Sequence, residues 1–273
     1  MYGEFFHTQT EVIMNTKSIA SFTQPDWEQY AKCYDGLNTL TPYTEMTKEI
    51  LRVLALRDDE YILDAACGTG NLDELLLQEA RRNSQTLHLI ACDFASAMLS
   101  RAKQKCGDDV NFMQLDLNQP LIIKGGTFHA ITCINTLYAI QEPRALLTEF
   151  YRVLSPGGRL LIVTPKDGYQ NGLILKAHCN STKPDTHWEN LHIDQAREES
   201  RIREACGQTE LSDDLMRIGE FNRLINQNAR FHFFTREALE EMIAEVGFTL
   251  VSHQLTYAAQ CHMLLVHKLS NSK

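Results

Sequence analysis

The sequence contains no run of about 18 apolar residues of the kind that spans a bilayer, and no C-x-x-C pair among its eight cysteines. It shows no internal repeat and no low-complexity segment. Lysine and arginine number 26 against 35 acids, giving a formal charge of −9, and they form no dense stripe. Each absence removes a class of function. Without an apolar run, no transmembrane segment is expected. The stretch MYGEFFHTQTEVIM lacks the basic start, apolar core and small-residue cleavage site of a signal peptide. Met14 offers an alternative start, and residues 1–24 are expected to be a mobile extension. The eight cysteines (Cys33, Cys67, Cys92, Cys106, Cys133, Cys179, Cys206 and Cys261) suggest reduced thiols in a cytoplasmic compartment, not a disulfide framework. Without clustered positive charge, nucleic acid is not expected as a partner. His178, His187 and His192 match no zinc spacing, so no metal is expected.

What is present is a chain of 273 residues, 44% of them hydrophobic, enough for one large domain or one domain with an insertion. Trp27, Tyr30, Ala31 and Tyr34 follow helical spacing, as do Met46, Ile50, Leu51 and Leu54. From residue 60 the pattern alternates. Strands are predicted at 61–66, 87–92, 110–114, 128–134 and 159–164, with helices at 71–82, 95–106 and 143–154. Ser155-Pro-Gly-Gly158 reads as a turn. After a long interruption a helix is predicted at 235–246, N-capped by Thr235 and ended by Gly247. Strands at 248–255 and 261–268 are close enough to pair as a hairpin. Alternating elements imply an α/β fold: a Rossmann-like, doubly wound sheet, mostly parallel, with a C-terminal antiparallel hairpin.

The informative stretch is Leu63-Asp64-Ala-Ala-Cys-Gly68-Thr-Gly70-Asn71, a strand ending in an acid, then two glycines, then a helix. Such a turn lies at the carboxyl edge of the sheet, where ligands bind. The third glycine of the dinucleotide pattern is missing, because Asp73 stands in its place. An acid there disfavours a pyrophosphate, and Asp64 favours a cationic ligand. Asp93 ends the second strand at the distance of a ribose-binding acid. Asp116 follows the third strand and is suited to an adenine amino group, although Asp116-Leu-Asn before Pro120 also makes a good turn. Asp93 alone would also read as a helix cap.

These pieces resemble the class I S-adenosylmethionine (SAM)-dependent methyltransferases, in the small-molecule branch of the ubiquinone/menaquinone type. The resemblance also runs through Cys92-Asp-Phe-Ala-Ser-Ala-Met98, Asn135-Thr-Leu-Tyr138, Glu149 to Ile162, Phe233 to Leu239 and Glu245-Val-Gly-Phe248. It implies SAM as cofactor. Asp64, Ala66, Gly68 and Gly70 would surround its amino-acid end, Asp93 the ribose, Asp116 and Leu117 the adenine, and Phe94 and Met98 the ring. Asn135 would touch the cofactor near the methyl group. Tyr34, Asn135 and Tyr138 are the catalytic candidates, and Tyr30 to Asp35 matches a family segment that covers the site. Two departures define the alternatives. A nucleotide-dependent oxidoreductase would share the sheet, but Asp64, Asp73 and Asp116 count against it. A non-catalytic SAM-binding or regulatory protein would have a degraded site, whereas these acids and glycines are intact. Asn135-Thr-Leu-Tyr138 also lacks the two prolines of the [DN]-P-P-Y motif of adenine and glutamine N-methyltransferases.

The cofactor domain is expected at 25–165 and 231–273, with 166–230 inserted between the fifth strand and the last helix. About 65 residues exceed what a simple connection needs. The segment contains helical apolar spacing around Leu173, Ile174, Leu175, Trp188, Leu191, Leu215, Ile218 and Phe221, and an acid/base-rich stretch from Asp194 to Arg203. A helical lid over a small organic or lipid-like acceptor is one reading, and a homodimer contact is the other.

Overall fold

The computed structural model describes residues 23–182, 210–226 and 231–270. Trp188, Leu191, His187, His192, Cys206, Met14 and the Asp194–Arg203 stretch lie outside them. The described residues form a seven-stranded sheet: β1 (Glu60–Ala65), β2 (Leu87–Asp93), β3 (Val110–Gln114), β4 (Phe128–Ile134), β5 (Leu154–Pro165), β6 (Phe248–Thr256) and β7 (Cys261–Lys268). The spatial order is β3-β2-β1-β4-β5-β7-β6. Neighbours pair in parallel except β7, which runs antiparallel to both β5 and β6. The expected fold, with its closing hairpin, is therefore the observed one.

The central strands are near-continuous apolar runs because helices cover the sheet. Ile62, Leu63, Ile131, Leu160, Leu161 and Ile162 are fully buried. Helices α3 (Asn71–Arg82), α4 (Ser96–Cys106) and α5 (Pro143–Val153) follow β1, β2 and β4. In α3, Asp73 and Glu74 occupy the first turn and Arg81 and Arg82 the last, matching the helix dipole. The chain order reverses between β1 and β4, and the carboxyl ends of those strands open a crevice there.

Two regions differ from the sequence patterns. Ser155–Gly158 lies inside β5, not in a turn before it. Phe128 pairs with Leu154 and Ala130 with Arg159, so β5 carries extra residues as a bulge between two paired stretches. At the N-terminus, the apolar spacing from Trp27 to Tyr34 is not one helix. Helix α1 (Gln24–Tyr30) ends, and Tyr34–Thr39 forms a separate 3₁₀ turn before α2 (Thr41–Leu54). At Gly36 a Cβ would stand 3.1 Å from Asp214 Cβ, so this turn passes tightly against α7 (Glu210–Asn226).

Arg159 locks α2 to the sheet. It makes a bidentate pair with Glu60 at 2.5 and 2.7 Å and donates to the carbonyls of Leu54 and Ala55 at the end of α2. All three nitrogens of this buried guanidinium therefore donate to the helix terminus or the carboxylate.

The last helix, α8 (Arg236–Val246), is capped as its sequence indicates. Thr235 Oγ1 accepts from Ala238 N at 3.2 Å, and Gly247 adopts φ +102°. Thr235→Ala is expected to lower stability by about 1 kcal/mol, measured as a shift in the urea midpoint at unchanged slope. A shift indistinguishable from zero would show that the cap contributes nothing.

Within 166–230, α6 (Asn171–Thr182) and α7 are described. Lys166 and Phe234 form a parallel bridge, so the insertion leaves and rejoins the domain at one point. His178 on α6 is buried, and its Nδ1 accepts from the backbone N–H of Thr41 at 3.1 Å. It fastens the insertion to the start of α2.

Candidate active site

The crevice at the carboxyl ends of β1, β2 and β4 holds a cleft. Of the residues expected around a cofactor, Ala66, Gly68, Asp93, Phe94, Met98, Asp116, Leu117 and Asn135 line it. Asp64 and Gly70 do not. Trp27, Tyr34, Leu115, Asn118, Ile134, Thr136, Ala139 and Ile140 complete the wall.

Gly68 has φ +57°, and a Cβ there would face the cleft wall 3.5 Å from the Tyr34 ring. Gly70, at φ +76°, serves a different need. Its Cβ would stand 3.0 Å from Ala102 Cβ, so it lets α3 and α4 approach each other. Three non-glycine residues around the cavities also hold positive φ: Ala66 (61°), Asn135 (49°) and Tyr257 (53°). Such conformations cost free energy and gather at functional sites.

Asp93 is buried, and its carboxylate accepts from Gly68 N at 3.0 Å and Ala95 N at 2.9 Å. It thus braces the glycine turn and the residue before α4 while it also lines the cleft; it is not the N-cap of α4, which is Ala95. Burial pushes its pKa up to about 6, against those two hydrogen bonds, which pull it down. Asp116 is exposed. Its Oδ1 accepts from the backbone N–H and the amide of Asn118, forming the turn, and the residue also lines the cleft.

Asp64 lies beneath the glycine turn and accepts from Thr132 Oγ1 at 2.6 Å. Asp73, on the first turn of α3, is fully buried and receives no hydrogen bond from a neighbouring donor. Asp64 neighbours it, and the Asp64 charge disfavours ionisation of Asp73. Burial raises both above the ordinary carboxylate range. The Asp73 that stands where a dinucleotide fold needs glycine is therefore part of a buried acid pair supporting the turn.

A second cavity adjoins the first and shares Trp27, Tyr34 and Asn135 with it. Its lining is aromatic: Tyr30, Tyr138, Tyr169, Phe233 and Tyr257, with Leu37, Pro165, Ile225, Asn222 and Cys261. Asn222 and Ile225 come from α7, so the insertion supplies part of this wall. Asn135 Oδ1 accepts from Cys261 Sγ at 3.6 Å. Tyr30 donates to Asn222 Oδ1 at 3.1 Å, and its ring stacks on Phe221 at 4.8 Å. Burial raises Tyr30, Tyr34, Tyr138, Tyr257 and Cys261 above their ordinary pKa values. Tyr34 and Tyr138 therefore stay protonated at neutral pH, as walls and hydrogen-bond donors instead of bases.

Of the three catalytic candidates, Tyr34 and Asn135 line both cavities and Tyr138 lines the second. Trp27, Tyr257 and Asn222 had no site signal in the sequence beyond apolar or polar spacing. Among the described residues, no three His, Cys, Asp or Glu side chains are grouped to hold a metal. No described helix is long and apolar enough to cross a membrane.

A family profile described as a methyltransferase domain matches residues 40–253. A demethylmenaquinone methyltransferase of Thermus thermophilus is 30% identical over 168 residues, 58% of this chain and 73% of that protein. A ubiquinone/menaquinone biosynthesis C-methyltransferase of Legionella pneumophila is 26% identical over 236 residues, 80% of this chain and 79% of that protein. Against three other demethylmenaquinone methyltransferases the chain spans 55%, 59% and 57% of their length. Among solved structures, a SAM-dependent methyltransferase of Aquifex aeolicus superposes with a TM-score of 0.55 at 13% identity, over 91% of this chain and 100% of that one. That likeness shows the shared fold.

Proposed function

We propose, from the premise that this chain belongs to the methyltransferase-domain family, that it transfers the methyl group of SAM to a small aromatic or lipid-like acceptor seated in the second cavity. The observation that carries this is the join between two cavities, one lined by acids and a glycine turn, the other by aromatic rings.

The lining fits SAM. Asp93 would accept from the ribose, Asp116 and Leu117 would meet the adenine, and Phe94 and Met98 would flank the ring. The Asp64–Asp73 pair places negative charge beneath the cationic amino-acid end. When bound, SAM supplies an electrophilic methyl on a sulfonium. What the chain's own residues contribute is alignment and exclusion of water, and alignment alone is worth several kcal/mol. Trp27 and Tyr34 close the boundary from the N-terminal side. Asn135, held in a left-handed conformation, presents its amide there, and Tyr138 offers a hydroxyl donor. The relatives named for demethylmenaquinone support an acceptor of quinone-like character, as does the aromatic lining. The insertion is read as the acceptor lid, because α7 lends Asn222 and Ile225 to that cavity and none of its residues to the cofactor cleft.

The test is a methyl-transfer screen with labelled SAM over neutral phenols, quinols and their long-chain derivatives, with charged metabolites as controls. Label should pass to the aromatic set. Bound SAM with no transfer to any acceptor would instead indicate a SAM-binding protein without this activity. Ile225→Trp, which narrows the second cavity, is expected to raise acceptor KM about tenfold, the change that loss of about 1.4 kcal/mol gives. SAM affinity should stay within about threefold of wild type. An equal loss of SAM affinity would contradict the division of the cavities.

A pH dependence follows from Asp93. Its folded pKa of about 6 lies above the ordinary value of 3.8, because burial disfavours the charge. Below pH 6 the folded protein holds a proton that removes acceptor capacity from this carboxyl. SAM affinity should therefore fall as pH drops through 6, by up to about tenfold per unit. Ligand-free stability should respond in the opposite sense. Between about pH 4 and 6 the folded state binds the extra proton, so this group lowers stability as pH rises. Affinity flat from pH 7 to 5 would exclude Asp93 from the site.

A further inference from the structure

The N-terminal segment reaches the cofactor cleft through two residues, Trp27 and Tyr34, and each sits on its own fastening. Helix α1 is held by Glu28, whose carboxylate accepts from Ser96 N at 2.8 Å and Ala97 N at 2.7 Å at the start of α4. The 3₁₀ turn carrying Tyr34 is held differently. Asp35 Oδ1 accepts from Thr69 Oγ1 at 2.5 Å, between the two glycines of the cofactor turn. The same oxygen accepts from Lys105 Nζ at 2.9 Å, and Arg101 lies 3.5 Å from Oδ2. Lys105 also donates to Asn71, at the first position of α3, and Asn38 donates to the same Asn71 oxygen at 2.9 Å. One carboxylate thus ties together the Tyr34 turn, the glycine turn and the last turn of α4.

We propose that Asp35 is a positioning residue: it fastens Tyr34 to the glycine turn so that this ring stays in place as a wall common to both cavities. The inference rests on the reading of the first cavity as the cofactor site. The geometry gives the reason. The Tyr34 ring lies 3.5 Å from where a Gly68 Cβ would stand, and the edge of the Tyr30 ring packs against it, 5.2 Å between centroids. Tyr34 lines both cavities, so its displacement would open the cofactor cleft into the acceptor cavity. On its other side the turn meets α7 at Gly36, so Asp35 also sets how closely the insertion can approach the cofactor turn. The Glu28 fastening is independent, so loss of Asp35 loosens the turn while the Asn38–Asn71 bond and the docking of α1 remain.

The test has a ligand-free arm and a ligand arm. Hydrogen exchange of the unliganded protein reports on Gly36 and Leu40, whose amides bond to Cys33 O and Leu37 O within the turn. In Asp35→Ala these amides should exchange at least about tenfold faster, with those of β1 and β4 unchanged. The second arm follows release of S-adenosylhomocysteine by stopped-flow fluorescence of Trp27, in a Trp188→Phe background that leaves one tryptophan. Asp35→Ala should speed release about tenfold. In a Tyr34→Leu background the same change should alter release less than about twofold, since the residue acts through Tyr34. A merely structural role would multiply the rate equally in both backgrounds. Wild-type exchange at Gly36 and Leu40, unchanged release, or equal effects in the two backgrounds would each overturn the proposal. If wild type binds no S-adenosylhomocysteine, the cofactor reading fails, and the exchange arm decides the role of Asp35 alone.

Discussion

Replacing Gly68 by valine is expected to weaken SAM binding by at least about 100-fold, the equivalent of about 3 kcal/mol. Two effects combine. At φ +57° a β-branched residue is held in a conformation L side chains avoid, at a cost of about 1–2 kcal/mol. A bare Cβ would meet the Tyr34 ring at 3.5 Å and Met98 Sδ at 4.0 Å, ordinary contacts, so the first carbon fits. The two further methyl groups add bulk at a residue that lines the cleft, where the ligand would lie. Gly68→Ala separates the effects, since it keeps the strain and omits the branching. It should lose less than about tenfold. Titration calorimetry on both variants, with circular dichroism to verify folding, gives the answer. A folded Gly68→Val that binds SAM like wild type would show that no ligand approaches this turn.

Asp93→Ala should weaken SAM by about 10- to 150-fold, since a lost charge-assisted hydrogen-bond pair costs on the order of 1.5–3 kcal/mol. The methyl-transfer rate at saturating SAM should change much less, because the ribose is remote from the reacting carbon. The carboxylate has a second role that the variant also removes. The N–H groups of Gly68 and Ala95 lose their acceptor, loosening the cofactor turn and the start of α4. Asp93→Asn does not repair this. Its amide nitrogen would face one of those two N–H donors, so one bond becomes a clash of donors. Both variants should therefore bind SAM poorly. Unchanged affinity in Asp93→Ala would remove the ribose role.

The contrast between Gly68 and Gly70 marks where the sequence is legible and where it stops. Both belong to one motif, and the motif identifies the turn. Only the packing of α4, through Ala102, shows that Gly70 faces a helix and Gly68 the cleft. Period, capping and turn residues make the sheet readable, because each is a local property. Thr235 and Gly247 bound α8 as their chemistry requires. The second cavity is a different matter. Its wall joins Tyr30 to Asn222, 192 residues apart, and takes Tyr257 from the hairpin turn. Apolar spacing shows that a helix has a buried face and not what that face meets. Tyr257, Ala258 and Ala259 all hold positive φ without a glycine among them, so the usual turn signal was absent. Asp73 was readable as an obstacle to a dinucleotide, but its pairing with Asp64 depends on depth within the fold. Ser155–Gly158 has the composition of a turn and is drawn into β5 by the pairs on either side.

The central claim is that the crevice between β1 and β4 is a SAM site. Calorimetric titration of the wild-type chain with SAM, S-adenosylhomocysteine and NADH, in parallel, tests it most directly. Saturable binding of the first two in the micromolar range, one molecule per chain, is expected, with no binding of NADH. Saturable binding of NADH with no heat from SAM or S-adenosylhomocysteine would contradict it.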